Sequence, residues 1–323
     1  MKNILLILLA TATLTACENP KTYTDTFQYK YKRPIGLLMS DELDSLQLSG
    51  NKIVIGVIDA GFSGFKSNEY TRNLTVLDYK DFIDKDTTNF FGASENNHGT
   101  QVTTSIGGKK EDYIHGLAYN AHYLLAKTED VSSELTIEEN RLTQAVAWMV
   151  SKKVDVINIS VAYTTFDDAD YYTREDLNGK TALSSRYLDS ILQANPHLII
   201  TVSAGNEGNK PWRNIMFPSD VKEVITVGST DFEGETRRKT SGTGSKQVSY
   251  IKPDVVTYPM PPGNSHTAPV IAGLCAILKE LKPNITRNQL INALHKTSSN
   301  AKKPNREIGY GVPNSAELLK AIQ

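Results

Sequence analysis

Four short stretches of the chain carry side chains of four chemical kinds. They are VIDAG (Val57 to Gly61), NHGTQV (Asn97 to Val102), SAGNEG (Ser203 to Gly208) and GNSHTAP (Gly263 to Pro269). Asp59, His98, Asn206 and Ser265 supply an acid, an imidazole, an amide and a hydroxyl. A serine hydroxyl attacks a carbonyl only when a base takes its proton, the base works best when a carboxylate holds it, and an amide N–H can receive the developing oxyanion. The four stretches therefore hold the parts of a nucleophilic hydrolase.

Taken alone, each residue has a plainer reading. An aspartate after an apolar run is commonly a turn or cap residue, and Asn206 between Gly205 and Gly208 could form a turn. Of six histidines, His115, His122, His197, His266 and His295 lack a Gly-Thr successor and read as packing or surface residues. His266, next to Ser265, could line a cleft without serving as the base. The combination decides for chemistry, because only His98 carries the His-Gly-Thr sequence and three companion stretches accompany it.

The order acid, imidazole, serine is that of subtilisin and differs from the orders in chymotrypsin and the α/β-hydrolases. From about Asn51 to the C-terminus the chain resembles the subtilisin-like (S8, subtilase) serine peptidases. The resemblance lies in Asp59, in His98-Gly99-Thr100, in Ala204-Gly205-Asn206, and in Gly263-Asn264-Ser265 with Pro269. Weaker echoes occur in GLAYNAHYLLAK from Gly116, DVINIS from Asp155, IKPDVV from Ile251 and GYGVPNSAELL from Gly309. It implies Asp59, His98 and Ser265 as a triad, and Asn206 with the Ser265 backbone N–H as oxyanion donors. It also implies that Ser160-Val161-Ala162 pairs with an extended peptide substrate as an added strand, with Ser203-Ala204-Gly205 as the facing wall. The chain departs from the family at three places. Ala162 stands where glycine is usual, which narrows the pocket. Asn264 replaces the usual threonine before the nucleophile. The stretch from Lys252 to Gly263 is short and carries Pro253, Pro259, Pro261 and Pro262.

Apolar, β-branched runs at Ile53–Ile58, Tyr123–Ala126, Val154–Ile159, Leu198–Val202 and Val224–Val227 alternate with segments of helical period. This predicts an α/β fold, a three-layer α/β/α sandwich with a mainly parallel central sheet, which the family resemblance also implies. One helix is predicted from Thr136, with Thr136 and Glu139 as a capping box and Leu142, Ala145, Val146 and Met149 on one face. A second runs from about Thr181 to Gln193, stopped by Asn195-Pro196. Ligands of open parallel sheets bind beyond the carboxyl ends of the strands, where Asp59 and Asn206 both fall. Ser265 precedes a buried helix over Ala268 to Leu281, whose first turn tolerates Pro269.

The whole chain has 323 residues, 39% of them hydrophobic, enough for one large α/β domain. A formal net charge of −1 offers nothing to a nucleic acid. Lys2, the run Ile4 to Leu9 and Leu14-Thr15-Ala16 read as an export signal over residues 1–16. Cys17 follows at once, and LTAC resembles a bacterial lipobox, implying lipidation of Cys17 and a membrane anchor outside the cytoplasm. The apolar run is shorter than the roughly 20 residues of a transmembrane helix. With Cys17 acylated, Cys275 has no disulfide partner and reads as a small buried hydrophobe. Residues 17–45 read as a polar tether, too short for the prodomain that many subtilases carry, so a chain starting near Asp44 is expected to fold. Residues 46–323 form the catalytic domain.

No metal or cofactor is assigned. Asp78, Asp81, Asp84 and Asp86 are a candidate calcium loop, but their spacing matches no defined motif such as the EF-hand and favours a solvated loop. Two functions follow. One is a lipid-anchored serine endopeptidase acting on polypeptides; the other is a catalytically silent module that binds extended peptides through the Ser160 and Ser203 strands. Intact Asp59, His98, Asn206 and Ser265 favour the enzyme.

Overall fold

The computed structural model describes residues 34–92, 96–111, 113–169 and 172–323. The export signal, Cys17 and most of the tether lie outside them. Strands β1 (Val54–Asp59), β2 (Thr75–Asp81), a short hairpin of β3 (Lys109–Lys110) and β4 (Tyr113–Ile114), then β5 (His122–Lys127), β6 (Val156–Ile159), β7 (Ile199–Ser203), β8 (Ile225–Ser229) and β9 (Val255–Thr257) follow in chain order. Apart from the hairpin they form one seven-stranded sheet in the order β2-β5-β1-β6-β7-β8-β9, and every neighbouring pair is parallel. The direction of strand addition reverses at β1 and β6, so the crevice at a topological switch point opens beyond Asp59 and Ile159.

Each face of the sheet has its own core. Ile55 and Val57 of β1 pack with the helices His98–Gly107 and Ala268–Leu281; Ile58 packs with Ile137–Ser151 and Leu183–Ala194 on the other side. The period of two places Asp59 with Ile55 and Val57, on the face that receives the helix beginning at His98. That helix comes very close to the strand. A Cβ on Gly99 would lie 2.6 Å from the Phe62 ring, 2.7 Å from the Gly61 carbonyl and 2.9 Å from the Asp59 Cβ, so glycine after His98 is what permits the approach.

Several expectations need correction. The segment read as the end of a polar tether is part of the domain: Ile35, Leu37, Leu38, Met39 and Leu43 are buried in the same core as the helix Ala268–Leu281. Its elements, a 3-10 turn (Pro34–Leu37) and a helix of five residues (Asp41–Ser45) capped by Ser40, are too short to show a period in sequence. Chain starting near Asp44 would lose this apolar surface. The capping box at Thr136 does not form. Thr136 donates instead to Asp168 through its N–H and its hydroxyl, and Glu139 accepts from the Ser184 N–H and hydroxyl and from Tyr172, so tertiary partners replace the local pair. The acidic stretch is not simply a solvated loop either. Asp78 and Asp81 belong to edge strand β2, and buried Asp81 accepts from the Ile83 and Asp84 N–H groups and pairs with Lys127 at 3.1 Å. Strand β9 occupies the short, proline-bearing stretch before Ser265.

Candidate active site

Asp59 ends β1 fully buried. Its Oδ1 accepts from the Ala60 N–H at 2.8 Å and lies 2.6 Å from His98 Nδ1. A carboxylate can only accept, so Nδ1 carries the proton and Nε2 keeps its lone pair for a substrate-side proton. The start of the His98 helix is pinned by the His98 N–H to Asn96 Oδ1 at 2.7 Å and by the Gly99 N–H to the Gly61 carbonyl at 2.8 Å. The Asp59 carboxylate raises the His98 pKa above its ordinary value of 6.5, outweighing the opposing effect of burial.

Ser265 lies in a 3-10 turn, Asn264–His266, that leads into the helix Ala268–Leu281. The turn is tied to β8 through the Thr267 hydroxyl, which donates to the Val227 and Asn264 carbonyls. It is tied to β6 by a buried polar chain: Thr201 Oγ1 donates to Asn158 Oδ1 (3.1 Å), Asn158 Nδ2 to Ser160 Oγ (2.9 Å), and Ser160 Oγ to the Ser265 carbonyl (2.9 Å). A fully satisfied buried network of this type fixes a unique geometry. No hydrogen bond to the rest of the protein engages the Ser265 N–H among the described residues, and none joins Ser265 Oγ to His98. The His98 and His266 rings are 5.4 Å apart, which brings the imidazole of the first and the Ser265 turn to one crevice. Burial, with His98 nearby, lowers the His266 pKa to about 4. It stays neutral where His98 titrates.

Asn206 follows β7 and is exposed, beyond the buried Ser203, Ala204 and Gly205. Its Oδ1 accepts from the Asn264 N–H and from Asn264 Nδ2, both at 3.0 Å. The expected binding strands differ from one another. After β6, Val161 and Ala162 make no backbone hydrogen bonds among the described residues, while Tyr163 pairs with Phe217 in both directions and its hydroxyl donates to Glu129. Such an unpaired edge can take an added strand. The Ala204 N–H, by contrast, donates to the Val227 carbonyl and the Gly205 carbonyl is occupied, so Ser203 to Gly205 form a wall with little backbone to offer. Met216 packs on that wall: a Cβ at Gly205 would come 2.3 Å from its sulfur.

Sequence reasoning missed Asn158, Thr201, Met216 and the pairing of Asn264 with Asn206. Strand register brings the first two together and a turn the others, and neither leaves a local motif. Of the remaining histidines, His295 stacks on Tyr310 at 3.8 Å and meets buried Asp254, and His197 faces the Ile285 carbonyl. Cys275 is free and buried, its thiol pushed up to about 12 by burial. Among the described residues no group of three or more His, Cys, Asp or Glu side chains is placed to hold a metal ion.

The sequence profile of the subtilase family (peptidase S8) matches residues 50–311. Subtilisin DY of Bacillus licheniformis is 24% identical over 276 residues, covering 82% of this chain and 90% of its own. The minor extracellular protease Epr of Bacillus subtilis is 27% identical over 287 residues, covering 82% of this chain and 38% of the longer relative. Among solved structures, the CspB protease of Clostridium perfringens superposes with a TM-score of 0.71 at 15% identity, over 90% of this chain and 97% of that one. Fervidolysin of Fervidobacterium pennivorans, described as a keratinolytic enzyme related to subtilisin, gives 0.66 at 18% identity, over 89% and 45%. These structures share the fold. A profile match over most of the length, on a parallel sheet with an acid, an imidazole and a serine at one rim, means that the chain belongs to the subtilase family and is a serine-type endopeptidase.

Proposed function

We propose that Asp59, His98 and Ser265 form the working triad, with Asn206 and the Ser265 N–H receiving the oxyanion. The observation that carries this reading is the 2.6 Å contact between His98 Nδ1 and fully buried Asp59, two residues 39 apart in sequence. Nε2 takes the Ser265 proton as Oγ attacks the scissile carbonyl, then passes it to the leaving amine, and water hydrolyses the acyl-enzyme by the same route in reverse. The polypeptide substrate lies extended along Val161 and Ala162, against the wall of Ser203 to Gly205. Tight activation of Ser265 is tested with a fluorophosphonate probe, which modifies activated serines. Wild-type protein should be labelled at Ser265 alone, and Ser265→Ala and His98→Ala should take up no probe. A folded wild-type protein that neither reacts nor cleaves an unfolded polypeptide between about pH 6 and 9, where a neutral imidazole is available, would reduce the site to a peptide-binding groove.

We further propose that the enzyme works outside the cytoplasm, held by lipid on Cys17, with residues 34–323 as the catalytic domain. LTAC behind an apolar export run supports this, as does the extracellular setting in the name of the Epr relative. Among the described residues no helix is long and apolar enough to cross a membrane. Metabolic labelling with a fatty acid should mark the wild type and not Cys17→Ser; a soluble wild type whose mature N-terminus is another residue would exclude the anchor.

A further inference from the structure

An asparagine amide has a donating end and an accepting end of nearly equal size, and only the donating end can stabilise an oxyanion. Asn206 is exposed, and nothing in its own backbone position decides which end faces the crevice. Two main-chain groups decide it. The Gly205 carbonyl can only accept, and it takes Asn264 Nδ2 at 2.8 Å, which fixes the orientation of the Asn264 amide. The Asn264 backbone N–H can only donate, and it meets Asn206 Oδ1 at 3.0 Å. The second proton on Asn264 Nδ2 reaches the same Oδ1, also at 3.0 Å. Both protons of the Asn264 amide and both lone pairs of Asn206 Oδ1 are thereby used. Asn206 Nδ2 makes no hydrogen bond among the described residues and is left for a ligand.

Asn264 is buried, and its own Oδ1 has no partner. An unpaired buried oxygen destabilises the fold, so this side chain is not placed for its own satisfaction. A hydroxyl, as in the threonine usual at this position in the family, has one proton and reaches one of the two acceptors at a time. An amide reaches both.

Resting on the triad reading above, we propose that Asn264 is a positioning residue for oxyanion stabilisation, locking Asn206 with Oδ1 inward and Nδ2 toward the oxygen of the tetrahedral intermediate. It touches neither substrate nor the reacting atoms, because both its protons are committed. Its contribution passes entirely through Asn206.

The test is a double-mutant cycle on peptide hydrolysis. Removing an oxyanion-hole amide costs about 10²–10³ in kcat, so Asn264→Ala should lower kcat by about tenfold or more within that bound, with KM nearly unchanged. In an Asn206→Ala background the same change should cost nothing further. Equal losses in both backgrounds would overturn the proposal. Asn264→Asp keeps the size of the side chain but gives up both donated protons, setting an acceptor against the Gly205 carbonyl and Asn206 Oδ1. Its kcat should fall at least as far as that of Asn264→Ala, and wild-type kcat in that variant would also overturn the proposal. Side-chain amide relaxation of ¹⁵N-labelled protein reads the lock without turnover, and so separates failure of the lock from failure of the triad reading. Asn206 Nδ2 should be ordered in the wild type and mobile in Asn264→Ala. An amide equally ordered, or equally mobile, in both contradicts the lock whether or not the enzyme is active.

Discussion

Two imidazoles whose rings lie 5.4 Å apart have opposite protonation behaviour in this crevice. His98 stands at the start of a helix that meets the end of β1, and the buried Asp59 carboxylate draws its pKa upward. His266 stands in the 3-10 turn of Ser265, where among the described residues no carboxylate faces it and its Nδ1 has no hydrogen-bond partner, and burial pulls it down to about 4. Residue type and neighbourhood are shared; the difference is one acceptor oxygen. A base is made by the group behind the imidazole more than by closeness to the serine.

The strongest way to break this contrast is to remove each ring in turn. In subtilisin, removing the base costs about 2 × 10⁶ in kcat. His98→Ala should lose activity on that scale, whereas His266→Gln should retain kcat within about tenfold, since it removes packing and no proton acceptor that the reaction uses. Comparable losses in single-turnover assays would make His266 a participant. Next in size is Asp59→Asn, for which the corresponding loss in subtilisin is about 3 × 10⁴. This variant should also move the acidic limb of the kcat/KM profile downward, since the amide no longer favours the imidazolium.

A smaller effect sharpens the comparison without removing a catalytic group. The base works only when neutral, so in the wild type kcat/KM should rise with pH through an apparent pKa above 6.5, the ordinary histidine value. His266→Gln should leave that limb in place, because a ring already neutral throughout the window contributes no charge to it. A limb that moves with His266, or lies at or below the ordinary value, would undo the assignment. The smallest effect on rate belongs to a fully buried core residue just after the first 3-10 turn. Leu38→Ala should cost about 2–5 kcal/mol of stability through the cavity it leaves, measured by denaturant unfolding, with kcat of the folded protein unchanged.

Two of the four motifs, those of Asp59 and Asn206, were placed on one rim from sequence because each sits where a β-branched run ends and parallel strands put those ends together. Asp59 after Ile53–Ile58 and Asn206 after Leu198–Val202 needed no knowledge of strand order. Strand β2 hid because it is an edge: Asp78, Tyr79 and Lys80 leave it largely exposed, and alternating polar residues resemble a loop. Strand β9 has three residues between prolines and offers no period. The buried residues from Ile35 to Leu43 escaped for a related reason, since a 3-10 turn and a helix of five residues bury apolar side chains without repeating them. The Thr201–Asn158–Ser160 chain depends on register between β6 and β7, and register is not written in either strand alone.

The Asp59–His98 contact also sets activity and robustness against each other. A histidine whose pKa is raised by folding stabilises the fold fully below its unfolded value near 6.5, and that contribution disappears as the pH climbs through the folded value. With His98 as the proposed base, catalysis needs the neutral ring and grows over the same interval. As far as this pair is concerned, the enzyme is most durable where it is idle, and an acidic compartment would store it in its better-protected form.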